Sequence, residues 1–317
     1  MKKVIITANN VSAVDKNAKH MLEQAGFYVE EYPNAALYSQ EELISLLKDA
    51  DAVIAGTEQY TEDLLTQLPK LKLIARRGVG VDNIDMTAAM KNGIKITRTE
   101  GLVGSAVAEL IMTYILENAR MLSIHCNDMK QSIWSRRLSE GVSGKHLGLV
   151  GFGSIAKETA LRANAFGMKV FCYHQHRDIS TEKKHQTTYL DFETLISTSD
   201  YLSINVPLTK ETENMFTMET FEKMKPSCVL INTARSRIVK TSDLVQALKE
   251  NKIRNAYIDV FDQEPYTDSP LNTCENAFLT PHIGTFTRST FTAMNNRCAE
   301  QIIEFFSSSE ALPNKQH

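Results

Sequence analysis

Short apolar runs rich in β-branched residues alternate with helix-like stretches along the whole chain. The runs of the first third are residues 4–7, 27–29, 52–55, 72–75 and 94–97. Stretches such as 15–25 and 41–47 separate them and have the polar and apolar spacing of helices. This alternation is typical of parallel sheets whose strands are joined by helices. It predicts one α/β unit in this part of the chain.

A second series of the same kind fills the other part of the chain. Its apolar runs are residues 147–150, 169–173, 201–204, 229–232, 256–259 and 277–280. They predict a second α/β unit of parallel strands and crossing helices. The last helical stretch, residues 289–306, follows the final strand and is expected to return to the first unit, which would make that unit discontinuous. We expect the polar tail, residues 307–317, to fray.

A helical pattern of unusual length, residues 105 to about 129, separates the two series. Apolar side chains leave little polar face on its first half, so this helix must be covered on several sides. We expect it both to cross between the domains and to pack against a second subunit in a homodimer. Burial inside one chain explains the same pattern without a dimer.

Composition and charge restrict the class of partner. Of 317 residues, 43% are apolar and 23% are charged, which is typical of a globular protein rather than a disordered one. The net charge of -3 offers no basic field for nucleic acid or an anionic membrane, so we expect a small-molecule partner. The chain contains no run of 18 apolar residues and no signal-peptide core, and we expect it in the cytoplasm.

The cysteines predict neither disulfides nor a metal site. The five cysteines are scattered, their number is odd, and no C-x-x-C pair occurs. We expect reduced thiols and no bound metal.

A glycine-rich motif marks the first strand of the second unit. Gly151, Gly153 and Ala156 fit G-x-G-x-x-G/A directly after an apolar strand and before a helical stretch. In this context the first glycine permits a tight turn, and the second lets the backbone approach a pyrophosphate. The small third residue lets helix and strand pack closely. The motif predicts dinucleotide binding, although an ordinary strand-to-helix turn has the same spacing.

The tip of the next strand bears on the choice between NAD and NADP. NAD-binding proteins of this kind usually carry an acidic residue there for the ribose hydroxyls. This sequence has none at the tip, whereas Arg177 with His174 or His176 can hold a 2′-phosphate. We therefore predict that NADP is preferred. The alternative is a solvated loop with NAD bound through other contacts, and nearby Asp178 complicates the prediction.

Three segments after later strands carry side chains suited to hydride chemistry, and they contain Arg235, Glu264 and His282. Reduction of a 2-keto acid needs a cation that holds and polarises the substrate and a proton donor at the carbonyl oxygen. Glu264 close to His282 would favour the imidazolium and orient its ring. Taken singly, the three residues also fit a surface ion pair, a loop cap and a structural histidine. Together they predict a dehydrogenase-like site.

The sequence resembles the D-isomer-specific 2-hydroxyacid dehydrogenases, most closely their 3-phosphoglycerate dehydrogenase and glyoxylate/hydroxypyruvate reductase branches. The segments that carry this resemblance are residues 76–85, 106–109, 144–153, 206–209, 231–235, 259–261, 263–265 and 281–284. The resemblance implies an NAD(P)-dependent enzyme with two doubly wound parallel-sheet domains. One is a flavodoxin-like substrate domain of residues 1–98 and 286–317. The other is a Rossmann cofactor domain of residues 99–285.

The resemblance also implies a role for each site residue. Arg235 anchors the substrate carboxylate and carbonyl, His282 is the acid/base, and Glu264 is its partner. The backbone N–H groups of Val79 and Gly80 receive the substrate carboxylate. The implied cofactor contacts, besides the glycine motif and Arg177, are Thr99, Ser154, Ile155, His174, Pro207, Thr233, Ala234, Asp259 and Gly284.

The identity of the acid stays open at this point. Arg76, with Arg77 and Arg98 as further candidates, would bind a second anion at the far end of the substrate. That favours a substrate such as 3-phosphoglycerate over glyoxylate or hydroxypyruvate. A third reading is an NAD(H)-sensing corepressor-like binding protein, although such relatives carry long extensions that this compact sequence lacks.

Overall fold

The computed structural model describes residues 1–266 and 268–310. The chain divides into two compact units, one of Met1–Val103 with the chain from Phe286 onward and one of Gly104–Thr285. We describe each unit by itself.

The first unit is a parallel sheet with helices on both faces. Its strands are β1 (Lys3–Ile6), β2 (Tyr28–Glu31), β3 (Ala52–Ala55), β4 (Leu73–Arg76) and β5 (Lys95–Arg98). Its helices are α1 (Val11–Val14), α2 (Asn17–Gln24), α3 (Gln40–Leu47), α4 (Glu62–Thr66), α5 (Met86–Lys91) and a C-terminal helix (Arg288–Glu310), with a 3-10 turn at Ala35–Leu37. The strand order β2-β1-β3-β4-β5 confirms the predicted flavodoxin-like arrangement.

The side chains of β1 alternate between the two faces of the sheet, and the C-terminal helix covers one of these faces. Successive strand residues point to opposite faces, so Val4 and Ile6 join one apolar cluster while Ile5 joins another. Ile302 and Phe306 of the C-terminal helix fill the cluster of Val4 and Ile6. The helix continues to Glu310, so the expected fraying is wrong for residues 307–310, and residues 311–317 lie outside the described part.

The boundary of the first unit lies at Val103, later than the predicted residue 98. Thr99 explains the difference, because its backbone N–H donates to Gly78 O and its hydroxyl accepts from Gly78 N–H at 2.9 Å. These bonds extend the contact between the ends of β4 and β5 beyond the strands themselves.

The second unit is a seven-stranded sheet. Its strands are β6 (His146–Val150), β7 (Lys169–Tyr173), β8 (Thr188–Tyr189), β9 (Tyr201–Ile204), β10 (Val229–Asn232), β11 (Asn255–Ile258) and β12 (Ala277–Leu279). Its helices are α6 (Gly104–Arg120), α7 (Leu122–Lys130), α8 (Ser154–Ala165), α9 (Ile179–Lys184), α10 (Phe192–Thr198), α11 (Met218–Lys223) and α12 (Thr241–Lys249), with 3-10 turns at Ser236–Ile238 and Pro270–Thr273.

The strand order of this sheet is β12-β11-β10-β9-β6-β7-β8, and every pair is parallel. This is the Rossmann order with one extra strand, which confirms the predicted fold. The chain reverses direction across the sheet between β6 and β9, and open sheets of this type bind ligands at such a switch point. The two-residue strand β8 is absent from the prediction because two residues give no periodic signal.

The single long helix predicted for residues 105–129 is wrong, because two helices meet at Met121. Met121 adopts a left-handed backbone with φ of 49°, and α7 begins directly after it. The Glu117 side chain accepts the N–H of Ser123 at 3.0 Å, which satisfies one free donor at the start of α7. No glycine or proline marks this break, so the sequence gives no local signal for it.

Gly148, in the middle of β6, supplies a test of the packing of the second unit. A Cβ added there would lie 2.2 Å from Ser199 Oγ and 2.7 Å from Leu202 Cδ1, and both neighbours are buried. We expect Gly148→Ala to destabilise the protein by about 1–3 kcal/mol, measured by thermal unfolding. Exposed Gly141 has nothing within 4 Å of an added Cβ, so Gly141→Ala is the control. Equal unfolding midpoints for the two variants would contradict this packing.

Candidate active site

The second sheet brings its candidate residues to one edge because all of its strands run in one direction. The loops after β6, β9, β10, β11 and β12 leave from this carboxyl edge. These loops contain the residues that the sequence singled out: Gly151, Gly153, Pro207, Thr233, Ala234, Arg235, Asp259, Glu264, His282 and Gly284.

The turn after β6 has the conformation that the motif requires. Gly151 has φ of +95°, and a Cβ added there would lie 2.7 Å from the carbonyl oxygen of Asn205. A side chain at this position would therefore be strained and would clash with the loop after β9. Ala156 is fully buried, so α8 lies close against the sheet.

Gly153 tests whether a dinucleotide fits. An added Cβ at Gly153 has nothing within 4 Å, so packing within the protein leaves this side of the turn open. Gly153 is also the N-cap of α8 and has no side chain to occupy the first N–H groups of the helix. The N–H groups of Ser154, Ile155 and Ala156 are thus suited to the phosphates of a dinucleotide.

The tip of β7 contains a group that the sequence reasoning missed. Arg177 donates to both carboxylate oxygens of Glu182, from Nε at 3.1 Å and from Nη2 at 3.2 Å. His174 Nε2 lies 3.4 Å from the same carboxylate, and its ring stacks on Phe152 of the glycine turn. Glu182 lies on α9, beyond the tip of β7. The spacing of the glycine motif and the periodicity of the strand therefore give no indication of its role.

The Asp178 carboxylate, which complicated the cofactor prediction, acts as a helix cap. It accepts from the N–H groups of Ser180 and Thr181 at the start of α9 and from both hydroxyls. These hydrogen bonds, led by the one from the Thr181 hydroxyl, hold the pKa of Asp178 well below its ordinary value.

The remaining cofactor candidates of this unit lie in the loops after β9 and β10. Pro207 is exposed, and its carbonyl accepts from the Thr212 hydroxyl. Thr233 and Ala234 are half-buried. Buried Asn232 shapes this turn, because it accepts from Ala234 N–H at 3.0 Å and donates to Arg235 O at 2.9 Å.

Glu264 and His282 form a hydrogen-bonded pair. His282 Nδ1 lies 2.6 Å from Glu264 Oε2, and both side chains are partly exposed to solvent. Burial by itself raises the pKa of Glu264. The hydrogen bond and charge of His282, the Phe261 N–H and the charge of Arg235 outweigh this and bring that pKa below its ordinary value. The carboxylate is therefore ionised at neutral pH and faces the imidazole.

Asp259 fixes the backbone that carries His282. It accepts from Ile283 N–H and Gly284 N–H at 2.8 Å each and from the Thr280 hydroxyl at 2.6 Å. Burial raises the pKa of Asp259 above its ordinary value, although these three hydrogen bonds oppose it. His282 has a left-handed backbone with φ of 52°, a conformation that the flanking bonds to Asp259 hold in place.

Arg235 follows β10 at the same edge. Its Nη1 donates to Ala234 O at 2.7 Å, and its charge contributes to the lowered pKa of Glu264. The guanidinium thus acts electrostatically on the Glu264 carboxylate.

The substrate candidates of the first unit lie around the turn after β4. Arg76 is half-buried and donates to Arg77 O, and Gly78 has φ of +145° where an added Cβ would meet the Arg76 guanidinium. Val79 is exposed and Gly80 is half-buried. Thr99 is fully buried with its hydroxyl on Gly78, so a cofactor contact by Thr99 stays a prediction.

The two further arginine candidates for the second anion site, Arg77 and Arg98, have different surroundings. Arg77 is buried, donates to Asn9, and has its guanidinium 4.4 Å from the ring centre of Phe291. Burial lowers the pKa of Arg77 to about 10. Arg98 pairs with Glu100 at 2.9 Å on the surface. Arg77 is thereby not available as the second anion site that the sequence suggested, and for Arg98 this role stays a prediction.

No group of three or more His, Cys, Asp or Glu side chains in residues 1–266 and 268–310 is arranged to hold a metal ion. Over the same residues, none of the helices combines the length and apolarity needed to cross a membrane.

Comparisons with known proteins agree with this geometry. The sequence model for the "D-isomer specific 2-hydroxyacid dehydrogenase, NAD binding domain" matches residues 112–284. Glyoxylate reductase from Thermococcus litoralis is 36% identical over 98% of this chain and 96% of its own length. D-3-phosphoglycerate dehydrogenase from Methanocaldococcus jannaschii is 34% identical over 95% of this chain and 57% of its own.

A solved structure shows the same architecture. D-lactate dehydrogenase from Aquifex aeolicus, complexed with NAD and lactic acid, superposes with a TM-score of 0.85 at 26% identity, covering 98% of this chain and 96% of its own. The chain belongs to the D-isomer-specific 2-hydroxyacid dehydrogenase family, whose members are NAD(P)-dependent oxidoreductases that act on the CH–OH group of a 2-hydroxy acid.

Proposed function

We propose that this enzyme reduces a small 2-keto acid such as glyoxylate or hydroxypyruvate to the corresponding 2-hydroxy acid. The contact between Glu264 and His282 carries the proposal, because it provides a proton donor held by a carboxylate. The small acid is favoured over the keto form of 3-phosphoglycerate because Arg77, a candidate for binding the phosphate, is buried and bound to Asn9. The similarity to a glyoxylate reductase over nearly the whole chain supports the same choice.

Each site residue has a separate role in the reduction. The reduced dinucleotide, when bound, supplies the hydride that goes to the carbonyl carbon. His282 gives the proton at Nε2 to the carbonyl oxygen, while Glu264 holds the Nδ1 side of the ring. Arg235 binds the substrate carboxylate and polarises the carbonyl.

We place this reaction in the cytoplasm. All five cysteines are free in the structure, and free thiols are typical of a reducing compartment.

The catalytic assignment predicts a separation of chemistry from binding. His282→Gln removes the proton donor, so we expect kcat to fall by about 10²- to 10⁴-fold. We expect dinucleotide affinity to change little, because His282 belongs to the loop after β12 and not to the glycine turn after β6 that is expected to bind the phosphates. The measurement is keto-acid turnover together with direct dinucleotide titration. His20→Gln, at an exposed position of the first unit, is the control. Retention of more than a tenth of the turnover would remove His282 from the mechanism.

The tip of β7 supports a modest preference for NADPH. Residues 174–177 contain no carboxylate, and the Asp178 carboxylate is occupied as a helix cap. A guanidinium has five N–H donors, of which Arg177 uses two on Glu182, and its side chain is 53% exposed. The outer edge of Arg177 is therefore suited to a 2′-phosphate.

This preference is measured by steady-state kinetics with each cofactor on one keto acid. We expect kcat/KM to be several-fold higher with NADPH than with NADH, since only NADPH carries the phosphate. Equal values, or a higher value with NADH, would contradict the preference.

The protein is proposed to form a homodimer through α7 and the segment that follows it. No residue of α7 is buried, and apolar side chains along this stretch are exposed. They are Leu122, Ile124, Met129, Ile133, Trp134 and Leu138. Trp134 is 78% exposed and Leu138 is 98% exposed, which is typical of side chains that a partner covers.

Light scattering after size-exclusion chromatography tests the dimer. We expect a dimer for the natural protein and a monomer for the double variant Trp134→Ser/Leu138→Ser, because both substitutions remove apolar interface area. Leu37→Ser, at a 69% exposed site of the first unit, is the control. Trp134 is the only tryptophan, so dilution to monomer should also shift its fluorescence to longer wavelength. A natural protein that is monomeric at all concentrations would exclude this interface.

A further inference from the structure

Glu182 is a buried carboxylate that the catalytic mechanism does not use. Its side chain is 5% exposed, although it lies next to the strand tip where the adenosine end of the dinucleotide is expected. Its oxygens accept from Arg177 at 3.1 and 3.2 Å, and His174 lies 3.4 Å away. The Arg177 guanidinium also lies 4.5 Å from the ring centre of Tyr189. One carboxylate thus connects His174 and Arg177, two of the side chains predicted to contact the cofactor.

Glu182 is not placed to bind the ribose itself. Both of its oxygens are engaged by Arg177, and its burial leaves little of the carboxylate accessible to a ligand. Its effect on a ligand is therefore exerted through charge. A negative group held against Arg177 offsets part of the attraction between the guanidinium and a 2′-phosphate.

We propose that Glu182 determines cofactor specificity by offsetting the charge of Arg177, so that the enzyme takes NADH as well as NADPH. This inference rests on the proposed function, in which the tip of β7 holds the adenosine ribose. Without the Glu182 charge, Arg177 would select strongly for the phosphorylated dinucleotide. With it, the preference for NADPH is modest.

Glu182→Gln separates the charge of this residue from its position. The glutamine amide has nearly the same shape and keeps one oxygen that accepts from Arg177, whereas its NH2 group replaces the second acceptor and that hydrogen bond is lost. The Tyr189 ring still contacts the guanidinium of Arg177. The variant therefore keeps one hydrogen bond and the ring contact of Arg177 while it removes a negative charge close to the expected phosphate. We expect the affinity for NADPH to rise about tenfold and that for NADH to change less than about twofold.

The experiment is a direct titration of each protein with NADPH and with NADH, followed by the fluorescence of the reduced nicotinamide and without any keto acid. The ratio of the two dissociation constants is the readout, since a purely structural defect would weaken both dinucleotides together. Glu193→Gln is the control, because Glu193 is an exposed carboxylate paired with Lys223 on the same unit. An unchanged or lowered preference for NADPH in folded Glu182→Gln protein would overturn the inference.

A second variant, Arg177→Gln, serves if Glu182→Gln does not fold. The Arg177 side chain is half-exposed, so we expect its replacement to disturb the fold less. The Glu182 charge then acts without its counterion, and we expect the natural preference to reverse in favour of NADH. A ratio equal to that of the natural protein would count against the inference. Failure of the natural protein to bind either dinucleotide would instead refute the proposed function.

Discussion

The hydrogen bond between Glu264 and His282 is the interaction on which the rest of the site depends. A proton donor for carbonyl reduction must be charged when the substrate arrives and must keep its ring in one orientation. An ionised carboxylate 2.6 Å from Nδ1 fixes the orientation of the ring and lies where it can balance a positive charge on the imidazole. The lowered pKa of Glu264 shows that the surrounding groups keep this carboxylate ionised despite its burial.

The fold supports this pair through parallel strands that end at one edge. Asp259, after β11, holds the loop after β12 by two backbone N–H groups and thereby fixes His282 in a left-handed conformation. Asn232, after β10, shapes the turn that presents Arg235. Gly151 lets the loops after β6 and β9 approach at the switch point. Each group thus comes from a different strand, and the sheet sets their common direction.

Regular elements with a clear period were predictable from the sequence, and features decided by particular hydrogen bonds or by contacts distant along the chain were not. The buried strands of both sheets follow from short apolar runs, and the glycine turn follows from its spacing. The break at Met121 depends on local backbone bonds and has no glycine or proline to reveal it. An arginine such as Arg77 is expected on the surface when only the sequence is known. It is buried here because it contacts Asn9 and Phe291, which are distant along the chain. Glu182 is likewise recognisable only when its contacts with Arg177 and His174 are seen.

A crystal structure of the enzyme with a pyridine dinucleotide and oxamate, an unreactive keto-acid analogue, tests the central claim most directly. The account predicts that His282 Nε2 lies within hydrogen-bond distance of the oxamate carbonyl oxygen, with Nδ1 still on Glu264 and the Arg235 guanidinium on the carboxylate. The glycine turn should contact the pyrophosphate. A complex in which oxamate binds away from His282 and Arg235, or in which Glu264 has left the imidazole, would contradict the account.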